Sequence, residues 1–221
     1  MRLNTGLAFA CAILALGTTA CNLSDRITAS ALAEIEPGSV VYFDNFSNPE
    51  SGWEVWESEE AAITYDSNGL RFHINAPNYD FWSLPGQRFS DVTLGVDATL
   101  TAGPDDNDFG LICRFQNEYN FYAFLISSDG YGGIIKVKDG KYQILNHPDG
   151  LEYGPMITQG RATNLIRADC VGSRLTLYVN QEKFLEVEDS DFTAGDVGLI
   201  AGSYDQPGVE VLFDNFFVLK P

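Results

Sequence analysis

Aromatic side chains and planar hydrogen-bonding groups recur in the middle of this sequence in a pattern that suits the binding of sugars. Flat aromatic rings stack on the C–H faces of pyranose rings, and guanidinium, amide and hydroxyl groups bond to sugar hydroxyls. The aromatic candidates in or beside predicted loops are Trp53, Trp56, Tyr79, Trp82 and Tyr131. The polar candidates along one predicted hairpin are Arg114, Asn117, Asn120 and Tyr122.

Arg114 is the residue on which this binding hypothesis depends most. It alternates with Cys113 and Phe115 and is therefore expected to project from the opposite face of its strand. If that face is the concave one, Arg114 points at a ligand; the alternative is an ion pair with a carboxylate on a neighbouring strand. The predicted ligand-binding residues are Arg114, Tyr122, Asn120, Trp82 and Trp53.

Catalytic groups are harder to find. In the acidic run 186–191 (Glu-Val-Glu-Asp-Ser-Asp), Glu188, Asp189 and Asp191 are predicted to lie in a solvated surface turn. The two histidines, His73 and His147, stand in no metal-ligand spacing. Neither a Gly-x-Ser-x-Gly nucleophile turn nor a phosphate-binding glycine loop occurs. We predict no catalytic residue.

A short acidic segment is a candidate calcium site. Asp105, Asp106 and Asp108 flank Asn107 and place several oxygen ligands in one loop. The segment lacks the twelve-residue frame of an EF-hand, and the alternative is an acidic turn in water. Calcium is the single cofactor that the sequence brings into consideration.

The charge of the chain limits its partners. The 221 residues contain 13 Lys and Arg against 31 Asp and Glu, which gives a formal net charge of −18. Nucleic acids and anionic headgroups are bound by clustered Lys and Arg, which this composition does not supply. The composition therefore argues against nucleic acid and anionic headgroups as main partners, and it favours solubility outside the cell and the binding of divalent cations.

The first residues predict export. An early cation, Arg2, precedes an apolar run of about ten residues, shorter than the ~20 of a membrane-spanning helix. Residues 1–20 are therefore a predicted signal peptide, and Gly-Thr-Thr-Ala before Cys21 resembles the lipobox of bacterial lipoproteins. Thr18 stands where such boxes usually carry Leu, so ordinary cleavage is the alternative. We expect a lipid on Cys21 that holds the protein to a bacterial membrane, at the cell surface or in the periplasm.

Two cysteines remain for the exported domain. Cys113 and Cys170 both lie in strand-like runs, and an oxidising compartment favours a disulfide between them. Two buried free thiols are the alternative.

The rest of the chain predicts one all-β domain. Residues 21–38 are mostly small or polar and form a predicted tether, and residues 39–221 form a predicted single domain. Short runs of alternating polarity between Gly, Asn, Asp and Pro indicate about fifteen strands, hence a two-sheet antiparallel sandwich. In Val92–Thr101 the even-numbered apolar residues share one face, whereas Asn120–Ser127 is apolar on both faces.

A four-residue motif occurs at both ends of the domain. Phe-Asp-Asn-Phe at 43–46 recurs at 213–216 without wider similarity. We therefore expect the first and last strands to lie side by side, which removes an exposed sheet edge.

These features resemble the concanavalin A-like jelly roll in their order. After the opening motif come Ser51-Gly52-Trp53, the runs 109–115, 120–122 and 175–180, Gly195-Asp196-Val197-Gly198-Leu199 and the closing motif. Similar domains occur in bacterial surface lipoproteins, laminin-G-like modules, family 16 glycoside hydrolases and the 3-keto-disaccharide hydrolase family. The resemblance implies a jelly-roll sandwich, and a fold by itself does not give a function.

Three functions stay open at this point. The first is a non-catalytic module that binds carbohydrate or another extracellular polymer at the cell surface. The second is an enzyme of the 3-keto-disaccharide hydrolase type, which the resemblance alone suggests. The Glu-x-Asp-x-x-Glu motif of family 16 is matched imperfectly, because Glu188 stands at its Asp position and Asp191 at its second Glu position. The third is a structural or adhesive module without a small ligand.

Overall fold

The computed structural model describes residues 37–67, 69–148 and 150–221. In these segments the chain forms strands and turns, and none of them contains a helix that could cross a membrane. Residues 1–36, with the predicted signal peptide, Cys21 and most of the tether, lie outside the described residues. Lipidation of Cys21 therefore stays a prediction.

The described residues contain seventeen strands. In chain order they are β1 (Val40–Asp44), β2 (Trp56–Glu57), β3 (Ala61–Asp66), β4 (Gly69–Ile74), β5 (Tyr79–Ser83), β6 (Arg88–Phe89), β7 (Val92–Ala102), β8 (Asn107–Asn117), β9 (Asn120–Ile126), β10 (Tyr131–Lys138), β11 (Lys141–Ile144), β12 (Glu152–Tyr153), β13 (Thr163–Val171), β14 (Arg174–Val179), β15 (Glu182–Glu188), β16 (Gly195–Ser203) and β17 (Val209–Leu219).

These strands form two antiparallel sheets. The first sheet has the order β15-β14-β13-β7-β17-β4-β3-β2, with β1 beside β17. The second sheet has the order β11-β10-β9-β8-β16-β5, with β12 beside β10 and β6 beside β16. The predicted all-β, two-sheet sandwich is confirmed.

The alternation of polarity explains how the sheets pack. On β7, Leu94, Val96, Ala98 and Leu100 are buried in the core between the sheets, as the sequence predicted. Every residue from Phe121 to Ile126 on β9 is buried, which confirms that both faces of this strand are covered. The second sheet therefore carries apolar side chains on two faces.

The first and last strands pair, as the repeated motif predicted. Asp44 lies opposite Phe216 in the antiparallel register of β1 and β17. The buried Asp44 carboxylate accepts a hydrogen bond of 2.7 Å from the Phe46 amide and one of 3.0 Å from the Trp53 indole. The Trp53 ring packs edge-on against Phe216, with centroids 5.0 Å apart. The motif thus joins the two ends of the domain.

Cys113 and Cys170 form a disulfide, as expected for an exported domain. Cys113 lies on β8 of the second sheet and Cys170 on β13 of the first. The bond links the two sheets through their shared core.

Candidate ligand-binding site

The face of the second sheet that points away from the first sheet is apolar; we call it the outer face. Its buried floor consists of Ile112, Phe121, Ala123, Leu125, Ile135 and Ile200. The half-buried Trp82 lies at one side of this floor, with its ring centroid 6.0 Å from Phe115 and 5.9 Å from Phe121. An aromatic platform thus borders an apolar floor.

Two aspartates meet on this outer face, one row of residues along the sheet from Trp82. Gly202 on β16 pairs with Asp80 on β5 at one side and with Asp108 on β8 at the other. A Cβ atom at residue 202 would overlap Asp80 Oδ1 and would lie 2.6 Å from Asp108 Oδ1. A side chain at residue 202 would force these carboxyl groups to move, because both converge above its Cα atom.

We expect this pair of aspartates, the dyad, to share a proton. Asp108 is only 3% exposed. When both aspartates are ionised, no described group donates a hydrogen bond to Asp108 Oδ1. Burial and the charge of Asp80 raise the pKa of Asp108 well above its ordinary value. Burial also raises the pKa of Asp80, against the effect of its hydrogen bond with Asp108. A proton on Asp108 satisfies both groups.

Two tyrosines complete the surroundings of the dyad. Tyr204 donates a hydrogen bond to Asp108, and burial together with the charge of Asp108 raises the pKa of Tyr204. Burial and the charges of Asp108 and Asp80 likewise raise the pKa of Tyr142, although 51% of its surface is exposed. Both phenols therefore remain neutral hydrogen-bond donors at physiological pH.

An open cavity of about 450 Å³ adjoins the dyad; we call it the acidic pocket. It is lined by Asn78, Asp106, Ser127, Asp129, Tyr131, Gly150, Leu151, Tyr204 and Asp205. Tyr131 is 42% exposed, and its ring packs edge-on against Tyr153 with centroids 5.7 Å apart. The pocket therefore combines carboxylates, hydroxyls and an accessible aromatic ring.

Arg114 lies away from this site, which corrects the prediction that it binds a ligand. It is 1% exposed, and its guanidinium donates to Ser90 O (3.2 Å), Phe192 O (2.8 Å) and Asp91 Oδ1 (3.1 Å). Its φ of 53° coincides with a shift of register between β8 and β9, so the simple alternation along the strand fails there. Arg114 pairs with a carboxylate, which was the alternative interpretation.

Three further predicted ligand residues have structural roles. Tyr122 is fully buried, donates to Asp189 and accepts from the Phe192 amide, 3.1 Å away. Trp53 is in the core. Asn120 donates a hydrogen bond to Asn117 and accepts one from the amide of Asp139 in the turn between β10 and β11. Trp82 is the one member of the predicted ligand-binding set that packs against the floor of the outer face.

The predicted calcium ligands separate in the structure. Asp105 and Asp106 are exposed in the turn before β8, whereas Asp108 is buried beside Asp80. Within the described residues, no group of three or more His, Cys, Asp or Glu side chains is placed to hold a metal ion. The three aspartates therefore do not form the calcium loop that the sequence suggested.

Two acidic residues of the run 186–191 are held by lysines. Lys136 contacts Asp189 and Asp191, and Lys138 donates to Asp191 at 2.8 Å. Although burial acts to raise the pKa of Asp189, its hydrogen bonds with Lys136 and Tyr122 lower that pKa below its ordinary value. These two carboxylates are paired ions and differ in this from the dyad.

Comparison with known proteins gives structural matches. No family model matches the chain, and no curated protein matches it. A carbohydrate-binding module, CBM66, from Bacillus subtilis superposes with a TM-score of 0.62 at 18% identity, over 76% of this chain and 95% of that one. A protein of unknown function with a galectin-like fold from Bacillus subtilis gives 0.60 at 13% identity, over 84% and 97%.

An enzyme also has this fold. The β-glucanase of Bacillus licheniformis superposes with a TM-score of 0.59 at 12% identity, over 81% of this chain and 97% of that one. At such identities the likeness concerns the fold and not the activity. The chain therefore has the concanavalin A-like jelly-roll fold that these binding modules and enzymes share.

Proposed function

We propose that this protein binds carbohydrate on the outer face of its second sheet, without catalysis, as a lipid-anchored module outside the cytoplasm. The observation that carries the proposal is the Asp80–Asp108 dyad, which lies one row from Trp82 and beside the acidic pocket. The dyad offers a carboxylate acceptor and the nearby phenols offer donors, the groups that sugar hydroxyls need. Trp82 and Tyr131 provide rings for stacking on the sugar.

The separation of the two carboxyl groups supports a binding role. Retaining glycosidases hold their carboxyl groups about 5–5.5 Å apart, and inverting enzymes hold them about 6.5–9.5 Å apart to admit a water. Asp80 and Asp108 are in direct hydrogen-bond contact, which is closer than either arrangement. The structural neighbours include both binding and hydrolytic proteins, so the fold itself favours neither role.

An enzyme of the 3-keto-disaccharide hydrolase type is the second candidate. The observation in its favour is the raised pKa of Asp108, because a carboxyl group that keeps its proton can act as a general acid. Incubation of the protein with glycans, followed by analysis of reducing ends, distinguishes the two: released sugar would contradict the binding role.

A glycan array tests binding itself. The mature chain that begins at Cys21 is expected to bind a restricted set of glycans, and Trp82→Ala to lose most of that signal. Trp56→Ala is the matched control, because Trp56 packs against Phe81, whose side chain packs against the core between the sheets. Binding to no glycan by a folded protein would favour a structural or adhesive module.

The anchor has its own test. Mass spectrometry of the mature protein from a bacterial host is expected to find an acylated N-terminus at Cys21, and Cys21→Ser to abolish membrane association. An unmodified N-terminus at another residue would contradict lipidation.

A further inference from the structure

We infer that this protein docks on the surface of a lipid bilayer through an apolar patch on the first sheet, at the end where the predicted tether enters the domain. This inference deepens the proposed lipid anchoring and rests on it. The patch lies on the side of the first sheet that faces away from the second sheet. It consists of Val40 and Phe43 on β1 and of Phe217 and Leu219 on β17; we call it the docking patch.

The four side chains of the docking patch lie together. In the antiparallel register of β1 and β17, Val40 is opposite Leu219 and Phe43 is opposite Phe217. Residues that are opposite each other share one side of a sheet. Val40 is 61% exposed and Phe43 is 56% exposed, while Phe217 and Leu219 are half-buried. Contiguous exposed apolar surface of this kind marks contact with a membrane or a partner.

The pairing of the first and last strands does not require the exposure of Phe43. Phe43 begins the first Phe-Asp-Asn-Phe motif, and the corresponding Phe213 of the second motif is fully buried. Asp44 and Phe46 hold the first motif to the core, where both are buried. Among the described phenylalanines, Phe43 is the only exposed one. Its ring is therefore available for contact outside the domain.

The Phe217 ring forms a level floor beside Phe43. Gly95 on β7 pairs with Phe217, and a Cβ atom at residue 95 would overlap the Phe217 ring. The ring therefore lies across the sheet, in the space that a side chain of residue 95 would fill. Small molecules are bound in concave sites. A level apolar surface suits the plane of a bilayer better.

The charges along β17 give the docking patch a direction. Asp214 pairs with Asp97 on β7 at one side of the patch. Phe217 and Leu219 follow along the strand, and Lys220 comes directly after it. The chain thus passes from acidic to apolar to cationic. A cation near a bilayer is attracted by the phosphates of the headgroups, so the Lys220 end is the one that faces the membrane.

The other charges next to the docking patch are paired. Arg167 lies opposite Gly95, and its guanidinium is 3.0 Å from the Asp169 carboxylate. Lys183 donates to Glu186 at 2.7 Å. These pairs keep this side of the sheet close to neutral, although the chain has a formal net charge of −18. The patch is therefore suited to a zwitterionic bilayer.

The chain outside the described part joins the domain next to the docking patch. The amide of Gly38 donates to Lys220 O at 2.7 Å, and the amide of Lys220 donates to Ser39 O at 3.0 Å. Residues 21–36 span no more than about 60 Å even when fully extended. A lipid on Cys21 thus keeps this end of the domain near the bilayer. Such a tether gives a second, weak contact a high effective concentration, so a small patch is enough.

Docking in this orientation displays the carbohydrate site. The docking patch and the outer face belong to different sheets and lie on opposite sides of the sandwich. When the patch rests on the bilayer, Trp82 and the dyad face away from it. The proposed carbohydrate site then meets polymers outside the membrane.

Partition of a singly acylated protein into vesicles tests the inference. The mature chain that begins at Cys21 has one thiol besides the Cys113–Cys170 disulfide, and a maleimide carrying a myristyl chain is attached to it. One such chain gives only marginal, reversible membrane binding, so an added contact is measurable. Sedimentation with phosphatidylcholine vesicles gives the partition coefficient.

The variants have defined expectations. Phe43→Ser should lower the partition coefficient about fivefold to tenfold, and Val40→Ser should lower it by a smaller factor. Tyr119→Ser is the matched control, because Tyr119 is 55% exposed in the turn between β8 and β9 of the second sheet. This variant should partition like the natural sequence. Thermal unfolding checks that all three variants are folded.

Other outcomes overturn the inference in distinguishable ways. Unchanged partition of folded Phe43→Ser and Val40→Ser would overturn docking and leave the lipid anchor intact, because mass spectrometry tests the anchor separately. An equal loss with Tyr119→Ser would also overturn it. A dimer of the unacylated chain that Phe43→Ser abolishes, seen by sedimentation equilibrium, would assign the patch to a second copy of the chain. Loss of the glycan-array signal in Phe43→Ser would assign the patch to carbohydrate.

Discussion

Asp80 and Asp108 approach each other across Gly202 and share a hydrogen bond on the outer face of the second sheet. The relationship depends on three neighbouring strands, because each aspartate pairs with β16 and neither pairs with the other. A buried pair of like charges is unfavourable, so the dyad keeps one proton. The first prediction concerns that proton.

The dyad should make the stability of the protein depend on pH. The pKa of Asp108 is raised in the folded state, so between its unfolded value of about 4 and its folded value the native protein holds a proton that the unfolded chain has lost. Its contribution to the free energy of unfolding is therefore present below about pH 4 and is lost as the pH rises through the folded pKa. Asp80, Asp106, Tyr204 and Tyr142 are the groups that act with it.

Asp108→Asn isolates this effect. The variant is expected to be more stable than the natural protein near neutral pH, and the difference should shrink as the pH falls toward about 4. Guanidinium unfolding over this pH range measures it. Asp139→Asn, in an exposed turn, should show no such trend. A difference that does not change with pH would contradict the shared proton.

Gly202→Ala tests the close approach of the carboxyl groups. The added methyl group would overlap Asp80 Oδ1, so we expect a loss of about 1–3 kcal/mol in the free energy of unfolding, as for other overpacked sites. The same substitution in an Asp80→Ala background should cost less, because the overlapping atom is gone. Additive costs in this double-mutant cycle would show that the two side chains do not meet.

Arg114→Ala should destabilise the protein without changing its ligand specificity. The substitution removes a buried side chain and leaves the carbonyls of Ser90 and Phe192 without their donor. We expect a loss of about 2–4 kcal/mol, measured by thermal or denaturant unfolding. Arg88→Ala is the control: Arg88 is largely exposed, its ion pair with Asp196 is 3.7 Å long, and its loss should cost less than about 1 kcal/mol. If the folded Arg114→Ala variant had an altered glycan specificity, this would contradict the structural role and indicate that Arg114 contacts the ligand.

Removal of the disulfide should be the most costly of these changes. Cys113 and Cys170 are 57 residues apart in the sequence, and closing such a loop lowers the entropy of the unfolded chain. Replacement of both by Ala is expected to lower the free energy of unfolding by about 4 kcal/mol. Unfolding by guanidinium in the absence of reductant measures this loss. Two titratable thiols in the denatured, unreduced protein would contradict the bond.

The sequence by itself determined the two-sheet architecture of this domain and the disulfide that links the sheets. Period-two alternation is a local property, so the half-buried face of β7 and the two apolar faces of β9 were predictable from neighbouring residues. The repeated Phe-Asp-Asn-Phe motif predicted the pairing of β1 with β17, and the expectation of export to an oxidising compartment predicted the bond between Cys113 and Cys170. These properties follow from residue type and spacing alone.

Only the tertiary structure decided which residues form the candidate site. The register between β8 and β9 is irregular from Cys113 to Asn117, and the buried Arg114 side chain bonds there to the carbonyls of Ser90 and Phe192. No local sequence pattern indicates this irregularity. Asp80 and Trp82 are two residues apart on one strand, so the sequence indicated that they share a face of the sheet. Asp108 lies beside Asp80 only because β16 lies between their two strands. Strand order depends on contacts between distant segments and on the burial that they achieve together. The acidic dyad is therefore a property of the folded sheet and not of either stretch of sequence.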